Sequence, residues 1–326
     1  MRNDIIYCMS IVLLFGVLAG CGSKGPESET PVIAVIPMGT IHEFWKAVHA
    51  GAATAARDEG VTIIWKGALK EDDRDDQIRI VETFIASGVD AIILSPLDDT
   101  ALQRPVRDAK NRGIPTVIFN SALAGNDHIA YVSTDNYRGG ALAAEHLGAL
   151  LGGTGRLIQM LYQEGVEGTT RREEGFRDTI RDRFPGVTTL SDNQYTGVTT
   201  ESAYRTVENL LNRFGKVDAI FTPNESTTFG CLRALQDRGL AGTVVFVGFY
   251  SSPKLIEALA AGEIDGLVLQ DPFAMGYKSV SAAAAHLAGT TFEPVVDTGV
   301  TLATPENMND PDIRRLLYPD LSILGE

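Results

Sequence analysis

The chain repeats itself at long range. Val89-Asp-Ala-Ile-Ile-Leu-Ser-Pro96 recurs as Val217-Asp-Ala-Ile-Phe-Thr-Pro223. Gly60-Val-Thr62 recurs as Gly186-Val-Thr188, and Thr116-Val-Ile-Phe119 as Thr243-Val-Val-Phe246. The three separations agree to within two residues, too closely for three independent accidents. A repeat of this kind means two copies of one supersecondary arrangement. Within the first copy, short β-branched runs at 32–36, 61–65, 91–94 and 116–119 alternate with amphipathic stretches at 43–59, 73–86 and 100–111. The runs are apolar on both faces and bounded by Gly, Pro or Asp. That pattern predicts a buried parallel sheet with helices on both sides. The expected fold class is α/β: two similar, open, doubly wound parallel-sheet lobes.

In open parallel sheets, ligands sit beyond the carboxyl ends of the strands. Two facing lobes would bring both sets of strand ends to one cleft. The segments to examine are therefore 38–45, 95–99, 120–122, 163–172, 224–225, 249–251 and 270–273. The first holds His42 and the adjacent aromatics Phe44 and Trp45. An aromatic face packs well on the C–H groups of a sugar, whose hydroxyls need hydrogen bonds around the rim. Asn120, Ser121, Arg172, Asn224 and Gln270 supply polar groups at other strand ends, and Phe249 and Tyr250 could supply an opposing ring. A guanidinium is a fork of donors suited to vicinal hydroxyls or a carboxylate.

The 326 residues are enough for about two domains, and a 44% hydrophobic, 21% charged composition allows ordinary packed cores. The net charge of −14 is spread along the chain. It argues against a nucleic-acid partner, which would call for a basic face, and against binding to anionic lipid. The five histidines form no metal-binding pattern, and no Gly-x-Ser-x-Gly elbow is present, so neither an enzyme nor a metal or other cofactor is expected. Gly152-Gly-Thr-Gly155 precedes a strand rather than following one and reads as a turn.

Residues 5–18 are almost wholly apolar, preceded by Arg2 and followed by Leu18-Ala19-Gly20-Cys21. A short apolar run before small residues reads as a secretory signal over 1–20. Leu-Ala-Gly-Cys resembles the lipobox of bacterial lipoproteins, which implies cleavage before Cys21 and diacylglycerol on its thiol. Residues 21–31, rich in Gly, Ser and Pro, suit a flexible tether. Of the other cysteines, Cys8 falls in the signal and Cys231 lies on an apolar helical run, where a small core residue is expected.

Nearly all of the mature chain resembles the bacterial periplasmic sugar-binding proteins of the ribose-binding type, the solute receptors of ABC importers. The likeness is carried in order by Ile33-Ala-Val-Ile with Phe44-Trp45, Asp90-Ala-Ile-Ile-Leu-Ser-Pro96, Gly113-Ile-Pro-Thr-Val-Ile118 and Val132-Ser-Thr-Asp-Asn-Tyr-Arg-Gly-Gly140. It continues through Arg172-Glu-Glu-Gly-Phe176, Ala219-Ile-Phe-Thr-Pro-Asn224, Leu232-Arg-Ala-Leu-Gln236 and Val247-Gly-Phe249. The resemblance implies that Phe44 and Trp45 stack on the ligand, that Arg172, Asn224 and Gln270 hydrogen-bond it, that Phe249 adds an aromatic wall and that Asn136 joins from a lobe crossing. The family often has Asn at His42, Asp at Asn120, Arg at Ser121 and Asp at Tyr250. A carboxylate accepts two hydrogen bonds where Asn accepts one and donates one. Those replacements leave a deoxy sugar, a larger sugar or cyclitol, or a non-sugar solute open.

The resemblance further implies a type I periplasmic binding protein fold with a three-strand hinge near Thr134, 270–272 and 299–302. The lobes would be 32–134 plus 271–299, and 135–270 plus 300–326. It implies an exported monomer, in the periplasm or at the cell surface, that hands a sugar to an ABC permease in the membrane. The alternative is a receptor that presents its ligand to a sensor kinase or chemoreceptor. A DNA-binding regulator of the lactose-repressor type shares the fold but would need a helix pair where the signal stands.

Overall fold

The computed structural model describes residues 30–325. The signal, Cys21 and all but the last two tether residues lie outside them. From Pro31 the chain forms β1 (Val32–Ile36), α1 (Glu43–Glu59), β2 (Thr62–Trp65), α2 (Arg74–Ser87), β3 (Ala91–Leu94), α3 (Gln103–Asn111), β4 (Thr116–Phe119) and β5 (Ala130–Ser133). A second series follows: α4 (Asn136–Leu150), β6 (Thr154–Leu161), α5 (Glu167–Arg183), β7 (Gly186–Tyr195), α6 (Thr200–Phe214), β8 (Ala219–Phe221), α7 (Glu225–Asp237), β9 (Val245–Phe249), α8 (Pro253–Ala260) and β10 (Gly266–Gln270). The chain closes with α9 (Pro272–Leu287), β11 (Val295–Asp297), β12 (Val300–Ala303) and α10 (Pro311–Leu317).

Two six-stranded sheets result, ordered β2-β1-β3-β4-β5-β11 and β7-β6-β8-β9-β10-β12. Every pairing is parallel except that of β10 with β12. The chain passes between the sheets after β5, after β10 and between β11 and β12. Two of these passages are tied together: Thr134 Oγ1 donates to Gly299 O at 3.1 Å. At the third, Asp271 caps α9 by accepting from Ala274 N at 2.9 Å.

The alternation of side chains explains the apolar strand runs. Ile33 and Val35 of β1 share a core with Phe44 and Val48 of α1 and Met275 of α9. Ala34 and Ile36 share another with Ile80 and Phe84 of α2 and Val106 of α3. Both faces are covered, so alternation of polar and apolar residues is not required. In the second lobe Cys231 is fully buried in the core, and burial pushes its thiol pKa up. Two expectations need correction. The run at 61–65 starts at Thr62, and as an edge strand it turns Ile64 toward solvent rather than being buried on both faces. The third helix starts at Gln103, not 100, because Asp98 Oδ1 takes the amides of Thr100 and Ala101 into a turn.

Glycines set the helices that carry the strand-end residues. A Cβ on Gly276 of α9 would stand 2.0 Å from Val48 O of α1, and one on Gly51 of α1 would stand 2.0 Å from Phe273 O. The second lobe repeats this contact between α4 and α5. A Cβ on Gly140 would meet Arg172 O at 1.9 Å, and one on Gly175 would meet Tyr137 O at 2.1 Å. Backbone-to-backbone packing thus places α1, with Phe44 and Trp45, and α5, with Arg172.

Candidate functional site

The strand ends of both sheets converge on a small enclosed cavity of about 30 Å³. At roughly 10–15 Å³ per water, that is room for about two waters, and hydrogen bonds from each lobe to the other hold the lobes together over it. His42, Phe44, Trp45, Asn120, Arg172, Asn224 and Tyr250 line it.

The first lobe contributes a buried ion pair. His42 ends the loop after β1, and its Nδ1 lies 2.8 Å from Glu71 Oε1, on the loop between β2 and α2. Trp45 Nε1 donates to the same oxygen at 2.6 Å. Tyr162, which follows β6 of the other lobe, donates its hydroxyl to Glu71 Oε2 at 2.6 Å. Burial disfavours charge on both partners. It is outweighed at His42 by the hydrogen bond and charge of Glu71, with Glu225 adding to them, and the pKa rises to about 9. Glu71 is held below its ordinary value because three donors offset its burial.

The second lobe contributes a buried cation with neutral partners. Arg172 is 1% exposed. Its Nε donates to Asn136 Oδ1 at 2.8 Å, Nη1 to Pro223 O at 2.9 Å and Nη2 to Gln270 Oε1 at 2.7 Å. The guanidinium lies 4.6 Å from the Phe249 ring centre and 5.1 Å from that of Tyr250. These three acceptors and the Tyr250 hydroxyl share a group with five N–H donors, which leaves capacity for a ligand.

Helix starts meet across the cleft. The first two amides of α1, Glu43 N and Phe44 N, each donate to the Glu225 carboxylate at 3.4 Å. Burial raises the Glu225 pKa, against the neighbouring His42 charge and these amides. In the reverse direction, Gly168 N of α5 donates to Ser121 Oγ of the first lobe at 3.1 Å. Asn120 donates from Nδ2 to Ser95 Oγ at 3.2 Å, while its buried Oδ1 has no partner.

Four of the eleven expected residues stand off the central cavity wall. Ser121 caps α5. Asn136 braces Arg172 and reaches Asn120 O at 3.4 Å. Phe249 is fully buried under Arg172, in the core with Phe176 and Phe221. Gln270 braces Arg172 from the far side. The ring opposite Phe44 is Tyr250, with centroids 4.6 Å apart.

Sequence reasoning missed Glu71 and Tyr162. Glu71 lies on the loop after the second strand, which in a parallel sheet ends on the same side as the others. Tyr162 lies one residue before the strand-end segment 163–172, and Glu225 lies within the segment 224–225.

Two like sheets, three passages between them and a polar cavity enclosed at their facing strand ends define a two-lobed solute-binding protein of the α/β class. The chain belongs to the periplasmic binding protein domain family, whose model matches residues 33–291. That is a family of receptors, not of enzymes. A D-ribose/D-allose-binding protein of Pseudomonas aeruginosa is 29% identical over 312 residues, spanning 88% of this chain and 95% of the relative. The structure of a carbohydrate transporter solute-binding protein from Agrobacterium radiobacter, in complex with D-arabinose, superposes with a TM-score of 0.86. It is 30% identical and covers 89% of this chain and 100% of its own. The periplasmic component of an ABC-type sugar transport system from Hahella chejuensis is 34% identical, with a TM-score of 0.81 over 84% of this chain and 100% of its own.

Proposed function

We propose that this chain is the exported solute receptor of an ABC importer and captures a sugar or similar small polyol between its lobes. The cavity's chemistry carries the reading. An aromatic face (Phe44), a buried fork of donors (Arg172) and an unpartnered acceptor (Asn120 Oδ1) meet in one enclosed space. A polyhydroxylated ring needs that combination. The binding residues are His42, Phe44, Trp45, Asn120, Arg172, Asn224 and Tyr250, with Ser121, Asn136, Phe249 and Gln270 holding them in place and Glu71 and Tyr162 joining the lobes. The sugars bound by the Pseudomonas and Agrobacterium relatives support the ligand class.

The lobes are 32–134 plus 271–299, and 135–270 plus 300–326, and they rotate about the three passages. A solute touching both lobes selects the closed form, which the permease then reads. The receptor acts as a monomer. Cys21 carries the lipid that keeps it at the membrane, and loss of palmitate labelling in Cys21→Ser tests that separately.

The deciding experiment is a thermal-shift screen of the mature protein against sugars, polyols, nucleosides and amino acids. A ligand at about 100 times its Kd adds about 2.7 kcal/mol. We expect the shift from sugars or polyols, and its loss in Arg172→Lys, which keeps the charge but not the fork. A shift from amino acids or nucleosides alone would refute the reading.

A further inference from the structure

A second cavity adjoins the first and is larger, about 230 Å³ against about 30 Å³. The rings of Phe44 and Tyr250 line both and form the partition between them. Behind that partition, Ile256 and Leu269 of the second lobe line one side. The end of α10 and the segment leaving it, with Leu316, Tyr318 and Leu321, line another. This segment starts on the second lobe, where Ile313 and Leu317 are core residues. It ends in a single 3-10 turn, Ser322–Leu324, against α1 of the first lobe. The C-terminal segment therefore bridges the lobes over this annex, and the annex belongs to the same cleft.

The annex walls are mostly carbon, with Glu43, Ser251, Ser252 and Gln270 as the polar residues among them. Gln270 is 2% exposed, and its Nε2 has no partner while its Oε1 serves Arg172. Gln270 lines the annex and not the central cavity. A buried amide N–H₂ without an acceptor carries a desolvation cost that an acceptor on a ligand would remove. The volume is ample for a ring, since an apolar cavity of about 150 Å³ holds benzene. Tyr250, one ring of the partition, has a φ of 73°, a strained conformation for a residue with a side chain.

We infer that the cleft has two chambers and is shaped for a glycoside. The polyhydroxylated ring lies in the central chamber, which must widen to admit it, since at about 30 Å³ it has room for only about two waters. A compact apolar aglycone, up to the size of a phenyl group, lies under the C-terminal segment, with an ether oxygen accepting from Gln270 Nε2. The inference rests on the polyol reading above. The rival is that the annex only receives the Tyr250 ring when a free sugar enters.

Calorimetric titration of the mature protein decides between them, with D-ribose, D-arabinose and D-allose each set against its phenyl glycoside. Leu316→Trp would fill the annex from its half-buried C-terminal wall. Ser252→Trp would fill it from a helix start where the Ser252 side chain makes no capping bond, and serves if the first variant misfolds. For at least one pair we expect the glycoside to bind about tenfold tighter or more. Filling the annex should erase that gain and leave the free sugar's Kd within about twofold. Free sugars that bind while their glycosides bind no tighter would overturn the inference alone, as would a gain that survives both fillings. If the broader screen finds no sugar or polyol at all, the polyol reading fails and takes this inference with it.

Discussion

In the first lobe the fourth strand of the sheet, β4, runs into Asn120. In the second lobe its counterpart β9 runs into Tyr250. Both residues are left-handed, with φ 64° and 73°, and no other described residue except glycine has positive φ. The lobes also share strand order and a glycine-mediated helix pair. They differ where the strands end. The first lobe presents an ionised pair, His42 and Glu71, while the second presents Arg172 among neutral acceptors. Backbone geometry is retained because packing demands it. Side-chain chemistry is free to diverge because it faces the solute and the opposite lobe.

The sharpest way to break this comparison is at the helix pairs. Gly140→Ala and Gly276→Ala each drive a Cβ into a carbonyl at about 2 Å, and overpacking of that kind should cost about 3 kcal/mol. Urea midpoints should fall by similar amounts. The effect on ligand should not be equal. The atom struck by Gly140→Ala is the carbonyl of Arg172 itself, whereas Gly276→Ala strikes Val48, one turn beyond Phe44. Gly140→Ala should therefore weaken ligand binding more. Equal losses in calorimetry would mean that the two helix pairs position the site as one unit.

The ion pair gives the lobes different pH behaviour. His42 has its pKa raised from 6.5 to about 9 on folding, so its contribution is fully present below pH 6.5 and is lost as pH rises through 9. Glu71 is depressed, so its contribution is present above 4.5 and is lost as pH falls. Stability from the pair is greatest between those limits. Between pH 6 and pH 9.5 the loss should be about 2 kcal/mol, discounting for partial exposure and for coupling to Glu71 and Glu225. His42→Gln should lie lower at pH 6 and stay flatter to pH 9.5 in denaturant titrations. A wild-type decline that persists in the variant would place the titrating group elsewhere.

The strands were legible because a strand buried on both faces must be apolar throughout, and β1, β3 and β4 are found at 32–36, 91–94 and 116–119. Edge strand β2 was read less well, because one of its faces is wet. The helix start that bears Trp45, at 43, was also legible. Phe249 and Tyr250 show where reading stopped. Adjacent residues at a strand end point in different directions, and only the left-handed turn at Tyr250 decides which ring meets the cleft. Glu71 and Tyr162 sit on the loops after β2 and β6, where the strand-end rule points; what that rule does not carry is that the two side chains meet across the lobes, because nothing in local sequence records what the opposite lobe presents.

The smallest expected effect concerns the two caps that cross the cleft. Ser121 Oγ caps α5 from the first lobe at 3.1 Å, and Glu225 caps α1 from the second at 3.4 Å. Opening the lobes breaks both contacts without unfolding either core, so each cap weights the closed form rather than the folded state. Ser121→Ala removes a serine acceptor at a helix start, worth about 1 kcal/mol, or about fivefold in apparent Kd. Glu225→Gln should cost less, under about twofold, because its bonds are longer and burial already favours its neutral form. Unfolding midpoints without ligand should barely move in either. If Glu225→Gln proved the more damaging, the α1 cap would rest on charge, and the two lobes would differ even in how they hold each other shut.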